Sequence, residues 1–277
     1  MAEKNNYIFF GTPRFAAIAL EELIRAGMPP TLVVANPDRP TGRAQELTPP
    51  PAKVAAEKAG IPVLQPEKID AAFLEELKRY GANCYLVAAY GKLLPAELLA
   101  IPTKRAVGIH PSLLPRYRGS SPIQSAILEG EKETGVTLYL LDEKMDSGPV
   151  LAREEIAIGE AGYAKLEERL ARMGAKMAVK VLPRYLAGEL SPTPQDQAQA
   201  TFTKKFKTED GFVEIGKDNP GTIARKVRAL SKEPGVYTIR DAKRLKLLAV
   251  ARKNGAWIAT RIQWEGKTPQ SVALPLD

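Results

Sequence analysis

"NYIFFGTPRFAAIALEELIRAGMPPTLVVA", residues 6–35, decides what kind of sheet this chain builds. Residues 6–10 are a short apolar run of strand length. Residues 13–27 space their apolar side chains at a helical period, open on Pro13 and close on Gly27. Residues 31–35 are a second apolar run. Strand, helix and strand in that order predict a parallel pair with its helix packed on one face. The alternation continues outward. Helix-like 52–60, strand-like 62–64, helix-like 70–81, strand-like 84–89 and strand-like 106–109 follow. The expected fold is α/β, with a Rossmann-like, mostly parallel sheet. Ligands on such sheets bind beyond the carboxyl ends of the strands.

Further along, 134–141 and 148–158 read as a strand pair joined by "DEKMDSG". A long helix comes next, with Leu166, Leu170, Met173, Met177 and Val181 at spacings of three and four, a core-packing stripe. "LAGELSPTPQDQAQA" (186–200) is rich in proline and glutamine and marks a boundary. Beyond it, 219–230 reads as a helix. Runs 235–240, 243–250 and 256–263 read as strands of a small β-rich unit. The expected division is a body over 1–187, a linker over 188–203 and a basic C-terminal domain over 204–277.

Composition narrows the class. Of the 277 residues 44% are hydrophobic and 26% charged, enough to build a core. The one cysteine, Cys84, lies in an apolar run. That excludes a disulfide framework and a thiolate metal cluster, and it fits a reducing compartment. The apolar run before Gly11 is too short for a signal peptide, and no run approaches a membrane span. A cytoplasmic protein with no membrane partner is expected. Net charge is +8, and residues 201–277 hold all of the excess, with 16 basic and 8 acidic side chains. A basic appendage on a neutral body suits a polyanion such as nucleic acid, or is a solvated lysine-rich surface.

His110 is the only histidine, delivered by the strand-like run 106–109 into "HPSLLPRYRG" (110–119). Asp146 lies in "MDSG" (145–148), in the loop between two strands. A histidine paired with a carboxylate can accept or donate a proton near neutral pH.

These two motifs, with "PDRPTGR" (37–43), "AAYGKLLP" (88–95), "TFTKKFKTEDGFVEI" (201–215) and "IQWEGKTP" (262–269), resemble the methionyl-tRNA formyltransferases, within the 10-formyltetrahydrofolate-dependent formyltransferase family. The resemblance runs from about residue 6 to residue 269. It implies a formyltransferase domain followed by an OB-like β-barrel, shortened here between "KRLKLLAVARKNG" and "AWIATRIQWEG". It implies transfer of a formyl group from 10-formyltetrahydrofolate, as co-substrate, to the α-amino group of methionine on initiator tRNA. No metal is implied, and a monomer is expected. His110 then matches the family's histidine, an oxyanion donor and proton handler, and Asp146 the aspartate that holds the imidazole. Ser112, Leu113, Leu114 and Pro115 match the folate-contacting loop. Val87, Ala89 and Tyr90 should supply apolar walls and backbone groups for the pterin. Arg39 and Arg43 should meet the acceptor end of the tRNA, while Lys204, Lys205, Lys207, Lys243, Arg244 and Lys246 track phosphates.

One position departs from the pattern. The family carries an asparagine two residues before the histidine, and here that residue is Gly108. Losing one oxyanion donor typically costs about 10²–10³ in rate. A backbone N–H or a water could stand in, because glycine lets a ligand or solvent approach closely. Ser120 or Ser121 could supply a hydroxyl instead. Two other functions stay open. One is a non-catalytic tRNA- or folate-binding protein; the other is a formyltransferase acting on a small amine.

Overall fold

The computed structural model of the chain describes residues 6–42 and 45–277. The elements in order begin β1 (Tyr7–Gly11), α1 (Arg14–Arg25), β2 (Leu32–Val34), β3 (Arg39–Thr41), β4 (Glu46–Thr48), α2 (Pro51–Lys58), β5 (Val63–Leu64), α3 (Ala71–Lys78), β6 (Cys84–Ala88) and α4 (Ala96–Leu99). They continue with β7 (Ala106–His110), α5 (Pro122–Glu129), β8 (Glu133–Leu140), β9 (Val150–Ala157), α6 (Tyr163–Leu186) and α7 (Pro220–Leu230). The last four are β10 (Val236–Arg240), β11 (Lys243–Lys253), β12 (Ala256–Trp264) and β13 (Gln270–Pro275).

Seven strands form one sheet in the order β5-β2-β1-β6-β7-β8-β9. The pairs from β5 to β7 are parallel, and β8 runs antiparallel to β7. The sheet is therefore the mostly parallel α/β sheet that the first 35 residues predict. The apolar run that makes β1 is buried along its whole length, as a central strand covered on both faces must be. The chain winds outward from β1 through β2 to β5, then returns to place β6 on the other side of β1. That return is a topological switch point, where the carboxyl ends of neighbouring strands splay and leave a crevice. Thr12, Asn36 and Tyr90 follow the carboxyl ends of β1, β2 and β6. They are tied there: Thr12 Oγ1 donates to Tyr90 O at 3.0 Å, and Asn36 Nδ2 donates to Tyr90 O at 2.6 Å.

The structure corrects three details of the sequence reading. Residues 36–51, between the strand read over 31–35 and the helix read over 52–60, hold a small exposed antiparallel hairpin of β3 and β4 that has no counterpart in that reading. Arg39 lies on β3, and Arg43 lies outside the described residues. The buried face of α6 is rotated from the expected stripe. Leu166, Leu170 and Met177 are buried, but Met173 and Val181 sit at the margin, and Ala171, Gly174, Ala175, Ala178 and Leu182 complete the face. Two short helices, α4 and α5, add to the elements that the sequence period predicts.

Two compact units emerge. The first holds residues up to Gly119, with Gly135–Glu155 and Glu167–Phe202. The second holds Ser120–Thr134, Ile156–Leu166 and Thr203–Asp277. In the second unit β10 to β13 form an antiparallel sheet in sequence order, one strand more than the three that were read. Leu245 and Leu247 of β11 are buried, and α7 lines the same core through Ile223, Ala224, Val227 and Leu230. Asn219 caps α7 by accepting from the Gly221 and Thr222 amides, with Pro220 in the first turn. No helix among the described residues is long and apolar enough to cross a membrane.

Candidate active site

β7 ends on His110 at the carboxyl edge of the sheet, next to β6. The side chain is buried, 7% exposed. Its Nε2 lies 2.9 Å from the carbonyl oxygen of Tyr117. A carbonyl only accepts, so Nε2 is the ring's donor and Nδ1 is left to take a proton. Nδ1 faces Asp146 Oδ2 at 3.6 Å, too long for a hydrogen bond but within ion-pair distance once the imidazole carries a second proton. The two residues singled out 36 positions apart thus meet, because β8 folds back along β7 and the loop after it returns Asp146 to the histidine.

The carboxylate is held on both oxygens. Oδ2 accepts from the Gly119 amide at 2.7 Å, and Oδ1 accepts from the Tyr139 hydroxyl at 2.5 Å. Asp146 itself has φ +49°, and Gln195 fixes the backbone there. Gln195 Nε2 donates to Asp146 O at 2.9 Å and to Gly148 O at 2.6 Å. Gln195 Oε1 in turn accepts from buried Arg118, at 3.2 Å from Nε and 2.7 Å from Nη2. Arg118 Nη1 also donates to Gln197 Oε1 at 2.9 Å. The stretch expected as a spacer therefore carries part of the site's frame.

Gly108 is opposite Tyr139 in the β7–β8 register. The expectation that glycine leaves room for solvent or ligand is overturned. A Cβ on residue 108 would run into Cε1 of the Tyr139 ring and lie 2.8 Å from Cζ and 2.9 Å from Leu141 Cδ1. The space is filled by an aromatic ring. Ser120 and Ser121, the other candidates for a replacement donor, have their hydroxyls 3.4 Å apart. Tyr139 could not be picked from sequence, since a tyrosine inside an apolar strand reads as core. Burial, and then the charge of Asp146, pushes its phenol well above the ordinary tyrosine range, so it is a neutral donor at any working pH.

The loop after His110 is compact. Ser112 is fully buried, and its Oγ donates to Arg116 O at 2.6 Å. Thr137, opposite His110 on β8, donates to Ser112 O at 2.7 Å and accepts from the Leu114 amide at 3.0 Å. Leu114 and Pro115 are buried and Leu113 is half-buried. At the end of β6, Val87 is half-buried, Ala89 is exposed with φ +50°, and Tyr90 is buried. The Tyr90 hydroxyl and Asn36 Oδ1 are buried without a hydrogen-bond partner among the described residues.

A cavity of about 840 Å³ opens beside the loop that carries Asp146, with Leu99, Arg105, Leu141, Asp142 and Ser147 among its walls. Its lining does not include Val87, Ala89, Tyr90 or residues 112–115. No group of three or more potential metal ligands occurs among the described residues.

Of the expected RNA contacts among the described residues, Arg244 is half-buried and the rest are exposed, and several are already engaged. Arg39 pairs with Glu67 at 2.9 Å. Lys204 pairs with Asp210 at 2.5 Å. Arg244 stacks 3.8 Å over the Tyr237 ring. Lys205, Lys207, Lys243 and Lys246 project from the second unit into solvent.

The sequence matches the formyl transferase family model over residues 5–185 and the formyl transferase C-terminal domain model over 205–263. A methionyl-tRNA formyltransferase of Chloroflexus aurantiacus is 45% identical over 252 residues, covering 90% of this chain and 81% of its own. Among solved structures, the methionyl-tRNA formyltransferase of Clostridium thermocellum superposes with TM-score 0.64 at 18% identity, covering 94% of this chain and 98% of that one. HypX of Aquifex aeolicus in complex with tetrahydrofolic acid superposes with TM-score 0.67 at 18% identity, covering 99% of this chain and 46% of that one. At such identities these two likenesses speak for the fold.

Proposed function

The chain belongs to the formyl transferase family, and we propose that it moves a formyl group from 10-formyltetrahydrofolate to the α-amino group of methionine on initiator tRNA. The observation that carries the reading is the His110–Asp146 pair at the carboxyl edge of the sheet.

The folate co-substrate fits the cavity beside Asp146. Apolar side chains such as Leu99, Pro102 and Leu141 share the walls about equally with polar and charged ones such as Arg105 and Asp142, and at this volume the mixture suits a flat heterocycle with a charged tail. Leu99 and Leu141 would wall the ring, and Arg105 and Asp142 would meet its polar edges. The unsatisfied Asn36 Oδ1 and Tyr90 hydroxyl mark the nearby switch point as a second place for polar ligand groups. Bound there, the folate supplies the activated formyl carbon.

The chain supplies the rest. An amine that attacks a carbonyl gains positive charge on nitrogen and leaves negative charge on oxygen, so it needs a proton acceptor and a donor. His110 offers both atoms. Nδ1 takes the amine proton and becomes an imidazolium beside Asp146, then returns that proton to the folate nitrogen as the bond from this nitrogen to the formyl carbon breaks and tetrahydrofolate leaves. Nε2–H, now given to Tyr117 O, is the donor that a reacting oxygen can capture. His110 is buried and Asp146 half-buried, which partly shields this exchange of charge from water and makes it count for more. The exposed lysines of the second unit hold the tRNA phosphates.

Single-turnover formylation of methionyl initiator tRNA tests this. His110→Ala should lower the rate by about 10²–10⁴, the usual contribution of a positioned acid–base group. A wild-type chain that binds the tRNA but transfers no formyl group would be a binding protein, and the reading would fall. So would faster transfer to a small amine than to the charged tRNA.

A further inference from the structure

We propose that Tyr139 is a positioning residue for formyl transfer, matched to Gly108: the ring takes the volume of the missing side chain and the hydroxyl fixes the Asp146 carboxylate toward His110. The inference rests on His110 and Asp146 being the reacting pair.

The steric half follows from the register. Gly108 and Tyr139 are directly opposed on adjacent antiparallel strands, so their side-chain positions share one face of the sheet. Only a residue without Cβ leaves the ring room, since Cζ would be 2.8 Å from that carbon. The end of the ring that bears the hydroxyl is the part that overlies residue 108. A polar atom is therefore restored beside the glycine, on a different strand.

The polar half follows from hydrogen-bond capacity. A phenol has one proton, and Tyr139 gives it to Asp146 Oδ1 at 2.5 Å. The Gly119 amide holds Oδ2. Two donors on two oxygens set the plane of the carboxylate, and Oδ2 then faces His110 Nδ1. The Tyr139 and His110 rings meet edge to face, centroids 6.2 Å apart, which keeps the imidazole in that plane's reach. Neither serine of 120–121 is needed to account for the position.

The test has two arms. In single-turnover formylation, Tyr139→Phe should slow transfer by roughly ten- to a hundredfold, the scale of a hydrogen bond to a charged group. Half-saturating concentrations of tRNA and folate should change less than about twofold. A Tyr139→Phe chain as fast as wild type would overturn the positioning role. In thermal unfolding, Gly108→Asn should lower the melting temperature by several degrees or leave no folded protein. Gly108→Asn combined with Tyr139→Leu should fold and melt above Gly108→Asn alone. If Gly108→Asn melts with wild type, or the double variant fares no better than the single, the two residues are not matched. The melting arm is independent of the chemistry. Should His110→Ala keep full transfer, the catalytic role of His110, and with it the positioning role of Tyr139, fails while the matched pair is still judged on its own.

Discussion

Asp146 sits at φ +49°, a region that L-residues adopt at some cost and that aspartate tolerates better than most. The surroundings hold it there. Gln195, itself 6% exposed, gives both amide protons to Asp146 O and Gly148 O and takes two hydrogen bonds from Arg118. Replacing it with alanine strands two carbonyls in a buried place and takes two hydrogen bonds away from the Arg118 guanidinium, which keeps Gln197. Each such group costs about 1–3 kcal/mol. Gln195→Ala should therefore lower the melting temperature clearly and slow single-turnover transfer, with little change in the concentration of tRNA that half-saturates. A normal rate would show that the turn at Asp146 holds without its glutamine. Residues of this kind are the hardest to read in a sequence. His110 is the only histidine, so its role had one candidate. Gln195 is one of several polar residues in a stretch that looks like a spacer, and only the fold shows where its amide goes.

Among the elements, the strands and helices of the parallel sheet were legible because local period and global packing agree there. β1 is apolar throughout, as a strand buried on both faces must be, and α1 has proline at its entry and glycine beyond its end. The hairpin β3–β4 was not legible, since its exposed strands, one of them bearing Pro40, bury nothing and so carry no apolar period. Helix α6 lies between these cases. Its period was plain but its contact face was shifted, because the residues in closest contact are small ones that a search for large apolar side chains passes over. Gly174 is the clearest. A Cβ there would strike Ile109 Cγ2 and lie 3.2 Å from Val136 Cγ1, so the helix rests directly on β7 and β8 next to His110. Two effects compete in Gly174→Ala. Helix propensity gains about 1 kcal/mol. Overpacking costs roughly 1–3 kcal/mol, because strand and helix must part. The packing term should win: the variant melts lower than wild type, and transfer slows as β7 is displaced between residues 108 and 110. A higher melting temperature would mean that the helix can shift freely on the sheet.

For the whole molecule the relevant quantity is the charge balance. Residues 201–277 carry 16 basic and 8 acidic side chains, while the rest of the chain is balanced. That asymmetry was readable from composition, but which cations reach a phosphate was not, because composition does not show pairing. Lys204 is held by Asp210 and Arg244 lies on Tyr237, so their charges are partly spoken for within the unit. Lys205, Lys207, Lys243 and Lys246 are exposed. Each cation that neutralises a phosphate releases counterions, and the logarithm of affinity falls linearly with the logarithm of salt by roughly 0.7–0.9 per contact. Replacing these four lysines with alanine should weaken tRNA binding and flatten that line by about two to four units. Removing Lys204 alone should flatten it by less than one, since breaking its pair with Asp210 leaves a carboxylate near the same phosphates. The rate of transfer at saturating tRNA should be unchanged in both, because none of these side chains belongs to the His110 site. A salt dependence that survives the fourfold replacement would move the phosphate contacts to the first unit, where Arg39 is the next residue to change.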